Sequence, residues 1–264
     1  MKPDVKKVLK NTIKPINEKF AILLSSGIDS RSIFFESIEQ KKDFECYTFR
    51  LENVFSTDFL EAKSLCEQYG IKHNEIILPD SIEVLKKDLI ILKDLGAKKK
   101  TDFECFWPFL YIYKAVKESV IISGLAADGH FCISKKGMIH FKDKPDVFRK
   151  ITFGNPGYCQ AVLHINYNEG KKHLTPYLSQ EMINEFKGTS WDQINKPKQK
   201  NSIIEPYKSY LENIKLYKHQ SYQLGDSGIS DHFKKLLKTE LNTNNFKSVV
   251  SIYNRIGSTQ KTLF

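Results

Sequence analysis

Phe20-Ala21-Ile22-Leu23-Leu24-Ser25-Ser26-Gly27-Ile28-Asp29-Ser30 begins as an apolar run and ends as a polar turn, and Ile33, Phe34, Ser37 and Ile38 follow at helical spacing. A short apolar run bounded by a turn reads as a buried strand, and the spacing behind it predicts a helix. The loop between them suits pyrophosphate. Small residues let backbone N–H groups approach phosphates, the hydroxyls of Ser25, Ser26 and Ser30 add donors, and the helix N-terminus supplies a favourable partial charge. Asp29 is out of place among phosphates unless Mg²⁺ lies between them. The chain has neither the Gly-Lys-Ser/Thr of a Walker loop nor a Gly-x-Gly-x-x-Gly.

Working outward, Cys46-Tyr47-Thr48-Phe49, Glu75 to Leu78 and Val120-Ile121-Ile122-Ser123 read as further strands. Between them lie amphipathic helices. Asp58 and Glu61 have capping-box spacing, Ala62, Leu65, Cys66 and Tyr69 recur on one face, and Gly70 stands where the helix would end. Pro108 opens another helix carrying Phe109, Ile112, Tyr113 and Val116. Strands alternating with helices predict an α/β fold: a parallel twisted sheet with helices on both faces and ligands at the carboxyl ends of the strands. After about residue 145 the strand alternation stops. The reading is therefore an α/β core over 1–145 and a helical C-terminal region over 146–264 that packs on the core and completes the site. Asn242 to Asn245 reads as a loop.

The composition is that of an ordinary folded protein, 41% hydrophobic and 27% charged over 264 residues. No apolar run approaches the roughly 20 residues that span a bilayer, and the N-terminus lacks a secretory signal, so a cytoplasmic protein is expected. Cys46, Cys66, Cys105, Cys132 and Cys159 never form a Cys-x-x-Cys, which argues against a disulfide framework or a paired-thiolate zinc site. The net charge of +10 permits an anionic partner, nucleic acid included, but the lysines are spread in short clusters.

The loop Ser25 to Ser30 resembles the Ser-Gly-Gly-x-Asp-Ser signature of ATP pyrophosphatases, with Ser26 in place of the first glycine. Further stretches resemble the synthetase domain of asparagine and β-lactam synthetases, in the same order. Tyr47-Thr48-Phe49 followed by Asp58 to Gly70 and His73 is one. Ser123-Gly124-Leu125-Ala126-Ala127-Asp128-Gly129-His130-Phe131 resembles Ser-Gly-Glu-Gly-x-Asp-Glu-Leu-Phe. Thr175-Pro176-Tyr177-Leu178-Ser179 resembles Val-Pro-Phe-Leu-Asp, with a helix over Glu181 to Phe186, and Lys198 to Ile204 sits where the family has its lysine-bearing segment. The resemblance runs over about residues 5 to 215. It implies an adenine nucleotide alpha-hydrolase-like fold, with Leu24 and Phe49 walling an adenine pocket. Ser25, Ser26, Gly27, Ser30 and Gly124 would contact the nucleotide. Asp29 and Asp128 would hold Mg²⁺ against the phosphates, and Lys200, with Lys198 as its competitor, would neutralise charge on the α-phosphate and leaving pyrophosphate.

The departures bear on the substrate. Leu125 stands where asparagine synthetases have a glutamate, Gly129 and Ser179 replace a glutamate and an aspartate, and Ile204 replaces an arginine. His130 and Glu104 are the candidates for the missing base, with a packing role for His130 as the alternative. No cysteine precedes Cys46, so the usual amino-terminal glutaminase is not expected and a separate glutaminase subunit would supply any glutamine-derived ammonia. The resemblance implies an ATP- and Mg²⁺-dependent amide-forming ligase that adenylates a small carboxylate for attack by ammonia or an amine. A nucleic-acid-modifying ATP pyrophosphatase and a non-catalytic nucleotide-binding subunit are the alternatives.

Overall fold

The computed structural model describes residues 2–154, 162, 165–167, 169–217, 224–244, 251 and 255. The chain runs α1 (Val5–Ile13), β1 (Phe20–Leu23), α2 (Ile28–Glu39), β2 (Phe44–Leu51), α3 (Thr57–Tyr69), β3 (His73–Leu78), α4 (Ile82–Asp94), α5 (Lys100–Phe106), α6 (Phe109–Ala115) and β4 (Val120–Ser123). It continues with α7 (Asp128–Phe131), α8 (Lys135–His140), α9 (Pro145–Phe153), β5 (Lys172–Leu174), α10 (Gln180–Phe186), α11 (Trp191–Asn195), α12 (Asn201–Ile204), α13 (Lys208–Leu211) and α14 (Ile229–Asn244).

The strands form one five-stranded parallel sheet in the order β3-β2-β1-β4-β5. The chain leaves β1 toward β3 on one side, then returns to β4 on the other. The strand order therefore reverses between β1 and β4, the position at whose carboxyl ends open α/β sheets bind their ligands. Pairing of Leu23 with both Tyr47 and Ser123 fixes the register of the three central strands at that end.

Strand alternation sends side chains to two cores. Phe20, Ile22, Phe44, Cys46 and Ile122 pack with α1 and α2, while Ala21, Tyr47, Ile76 and Ile121 pack with α4 to α6 and α14. Phe34 on α2 anchors the first core, its ring edge-on to Phe35, Phe44 and Tyr69 at centroid distances of 5.7, 5.5 and 5.5 Å. Deleting so buried a ring costs about 3–5 kcal/mol. In the second core Trp107 stacks on His232 of α14 at 5.4 Å and donates its Nε1–H to Asp88 of α4 at 2.7 Å.

Three sequence readings are corrected. Strand formation does not stop at residue 145. β5 pairs with β4, but its Lys172-His173-Leu174 is too short and too polar to announce itself. α3 is capped by Ser56, which accepts the Phe59 N–H, and not by Asp58. Asn242 to Asn244 continue α14 as a helix, whereas Asn245 lies outside the described residues. Cys46, Cys66 and Cys132 are buried; Cys159 lies outside the described residues. None of the helices among the described residues is long and apolar enough to cross a membrane.

Candidate active site at the β1–β4 crevice

The loop between β1 and α2 is held by its own side chains. Ser25 donates its N–H to Ser30 Oγ at 3.0 Å, the two hydroxyls lie 2.9 Å apart, and Gly27 donates its N–H to Ser25 Oγ at 3.2 Å. No side chain caps α2, so its N-terminal amides are available to a ligand. Leu24 is buried, and its carbonyl accepts the Thr48 hydroxyl at 2.8 Å. Beyond that point β2 runs on past the end of β1 to Leu51, with Phe49 half-buried against the second core. Ser26 has its own partner. Its N–H at 2.9 Å and its hydroxyl at 2.5 Å both donate to Asp58 Oδ1, tying the loop to the first turn of α3.

Asp29 lies in the first turn of α2, and Asp128 opens α7 just after β4. Between them sits the ammonium of Lys200, 2.5 Å from Asp29 Oδ2 and 2.6 Å from Asp128 Oδ1. The lysine side chain is 8% exposed, and its backbone is left-handed at φ 60. Such a conformation is costly for a residue with a Cβ and persists where surroundings enforce it. Here the enforcement comes from Asn195, which accepts the Lys200 N–H on Oδ1 at 3.1 Å and donates from Nδ2 to the Phe131 carbonyl at 3.0 Å. The turn bearing the lysine is thereby locked to the helix bearing Asp128. Lys198, the competing lysine, is exposed.

Burial raises the Asp29 pKa to about 6, opposed by the Lys200 ammonium and aided by Asp128. Burial pulls the Lys200 ammonium down, but the two carboxylates together outweigh it and hold its pKa above the usual value. Asp29 Oδ1 is buried without a hydrogen-bond partner. An orphaned anionic oxygen is expensive unless a ligand satisfies it. Two carboxylates, one with an unused hard oxygen, suit Mg²⁺, which binds few protein oxygens and fills its shell with phosphates and water. Among the described residues no group of three or more His, Cys, Asp or Glu gathers to hold a metal unaided.

Two glycines are dictated by close approach. A Cβ on Gly124 would lie 2.9 Å from the Asp29 backbone, so only glycine lets the β4 loop meet the β1 loop. A Cβ on Gly129 would lie 2.6 Å from the Phe153 ring and 3.1 Å from Thr152, because α9 lies directly on α7. Leu125 is half-buried against the second core.

His130 does not join the aspartates. Its ring is fully buried between Phe153 and Phe186, at centroid distances of 4.4 and 4.5 Å, and Nε2 bonds the Tyr177 carbonyl at 2.6 Å. Burial lowers its pKa to about 4. This placement corrects the expectation of a base there: the imidazole packs α7 against α9 and α10. Glu104 is buried on α5, where it pairs with Lys100 at 2.9 Å.

Two residues at the carboxyl edge, His173 and Asn195, had no sequence signal. His173 of β5 bonds Tyr113 through Nδ1 at 2.6 Å and Ser123 through Nε2 at 2.7 Å. Burial takes its pKa down to about 4, so the ring is neutral. Asn195 was likewise missed, since its partners lie 5 and 64 positions away. Buried Tyr177 hydrogen-bonds Ser32 of α2 at 2.8 Å, fastening the Pro-Tyr-Leu turn beneath the crevice.

The asparagine synthase family model matches residues 7–239, well beyond the stretch over which motifs were recognised. No curated protein matches the chain. Three solved structures resemble it at low identity. A tRNA thiolase from Methanococcus maripaludis with its 4Fe–4S cluster is 15% identical, TM-score 0.39, over 98% of this chain and 78% of that one. A predicted subunit of tRNA methyltransferase from Methanocaldococcus jannaschii is 13% identical, TM-score 0.34, over 79% and 95%. NMN synthetase from Francisella tularensis is 12% identical, TM-score 0.36, over 93% and 96%. The family match covers most of the chain, and the protein belongs to the asparagine synthase family, whose membership supports ATP use.

Proposed function

We propose that this member of the asparagine synthase family adenylates a carboxylate with ATP and lets ammonia or an amine displace AMP, forming an amide. The observation that carries the reading is the Asp29–Lys200–Asp128 cluster at the ends of β1 and β4, facing a phosphate-sized loop that has no Walker lysine. The α2 N-terminus and the Ser25–Ser30 loop receive the phosphates. A carboxylate oxygen of the substrate attacks the α-phosphorus as the bond to the β-phosphate oxygen breaks. Lys200 follows the charge onto the α-phosphate and the departing pyrophosphate, where a positioned cation acts mainly on the transition state. Asp29 and Asp128 would hold Mg²⁺, whose role when bound is to screen the phosphate charges and orient the triphosphate. In the second step nitrogen bonds the acyl carbon as the bond to AMP breaks, and the amine proton leaves without the carboxylate that the family places at 125.

Labelled ATP, Mg²⁺ and a pool of carboxylic acids with hydroxylamine as acceptor test the reading. AMP, pyrophosphate and a hydroxamate are expected; ADP as the acid-dependent product overturns it.

A nucleic-acid substrate is the second reading. It is favoured by lysines set against rings beside α7: Lys142 over Trp191 at 4.8 Å, and Lys136 and Lys144 over Phe141 at 5.9 and 5.8 Å. Gel-shift titration with RNA at increasing salt tests it, since phosphate contacts give a steep salt dependence.

A further inference from the structure

We propose that Lys200 makes this site selective for a metal–nucleotide complex over the bare metal, by acting as the resident counter-ion of the two carboxylates until phosphates arrive to receive it. The inference rests on the ATP reading above and adds an order of binding to it.

The geometry is that of an occupied ion pair. The ammonium bridges Asp29 Oδ2 and Asp128 Oδ1 at 2.5 and 2.6 Å. It is buried, and its backbone turn is pinned by Asn195, so the lysine cannot simply swing into water. A divalent cation entering alone would displace the ammonium from both partners and leave two positive charges side by side, with the lysine 8% exposed and only the Asp128 side of the site, 49% exposed, open to water. Like-charge juxtaposition of that kind disfavours the metal. Among the described residues no third His, Cys, Asp or Glu joins the two carboxylates to serve both cations. A triphosphate changes this balance. Its oxygens give the ammonium new acceptors, and the metal then takes the carboxylates, including the unpartnered Asp29 Oδ1. Metal and nucleotide are thus favoured together, and metal alone is disfavoured.

Mn²⁺ binding to the full chain, read by water-proton relaxation without nucleotide, tests the lysine directly. Lys200→Met should bind Mn²⁺ on the order of tenfold or more tighter than wild type, because the competing ammonium is gone. Lys200→Arg, which keeps a cation, should stay like wild type. Adding Asp29→Asn to Lys200→Met should abolish the gain, placing it at this site. With α,β-methylene-ATP present, wild type should match or exceed Lys200→Met. Equal nucleotide-free affinities for wild type and Lys200→Met overturn the proposal, as does a gain that survives Asp29→Asn. Should Lys200→Met fail to fold, Lys200→Gln makes the same comparison. Failure of wild type to bind α,β-methylene-ATP with Mg²⁺ would overturn the ATP reading, whereas the nucleotide-free comparison judges the lysine's part.

Discussion

Two polar clusters lie at the carboxyl edge of the sheet, one half-open to solvent at Asp128 and one closed over Tyr113 and Ser123, and they are built on opposite terms. The Asp29–Lys200–Asp128 cluster is charged, carries an orphaned oxygen and hangs from a left-handed backbone turn. The Tyr113–His173–Ser123 cluster is neutral, and both imidazole nitrogens have partners. A satisfied neutral network rigidifies its surroundings, whereas an unsatisfied charged one costs stability and stands ready to exchange partners. The first is organised to meet a ligand; the second holds β5, β4 and α6 in register beside it.

Mutation should separate the two. Lys200→Ala should lower the turnover of ATP to AMP by about 10²–10³, on the order of 3–4 kcal/mol, as loss of a transition-state charge contact does. Steady-state kinetics with a responsive acid would show this, and an unimpaired variant would remove the lysine from the chemistry. Asn195→Ala, which frees the lysine's turn and orphans the Phe131 carbonyl, should cost about 1–3 kcal/mol of stability in urea unfolding. It should also reduce turnover without reaching the Lys200→Ala level. His173→Phe should cost about 1–2 kcal/mol in the same unfolding assay, having left Tyr113 and Ser123 without their partner. Nucleotide affinity should stay within about threefold. A larger loss of affinity than of stability would move His173 into the ligand site.

The mildest test uses pH. The Asp29 pKa is raised by folding from 3.8 to about 6. Its contribution to stability is therefore fully present below the unfolded value and is lost as pH rises through about 6. Melting scans from pH 4 to 7 should show wild type losing ground to Asp29→Asn as pH rises, most of the loss falling below about pH 6. Parallel curves would mean that the carboxyl titrates alike in both states.

What was legible in the sequence was local. The step from Phe20–Leu24 to Ser25–Ser30 declares strand, loop and helix within one short span, and the four longer strands follow from apolar runs. What was hidden depends on distance. Asp58 has the spacing of a helix cap, but its carboxylate serves Ser26, 32 positions away. Lys198 and Lys200 look alike in the sequence, and only the turn held by Asn195 decides which is buried. Three-residue β5 exists because β4 offers it an edge, not because Lys172-His173-Leu174 prefers to be a strand. His130 follows Asp128 by two positions, yet a single helical turn carries it from crevice to core.

The contact of α9 with Gly129 couples the substituted motif to a helix outside it. Phe153 fills the space where a side chain at 129 would begin. Re-creating the family's glutamate by Gly129→Glu alone would drive that side chain into the ring and unseat α9. The reverse order, Phe153→Ala first and Gly129→Glu second, passes through the loss of a half-buried ring rather than through a clash. The two changes are therefore coupled, and a side chain at 129 needs the ring at 153 to give way.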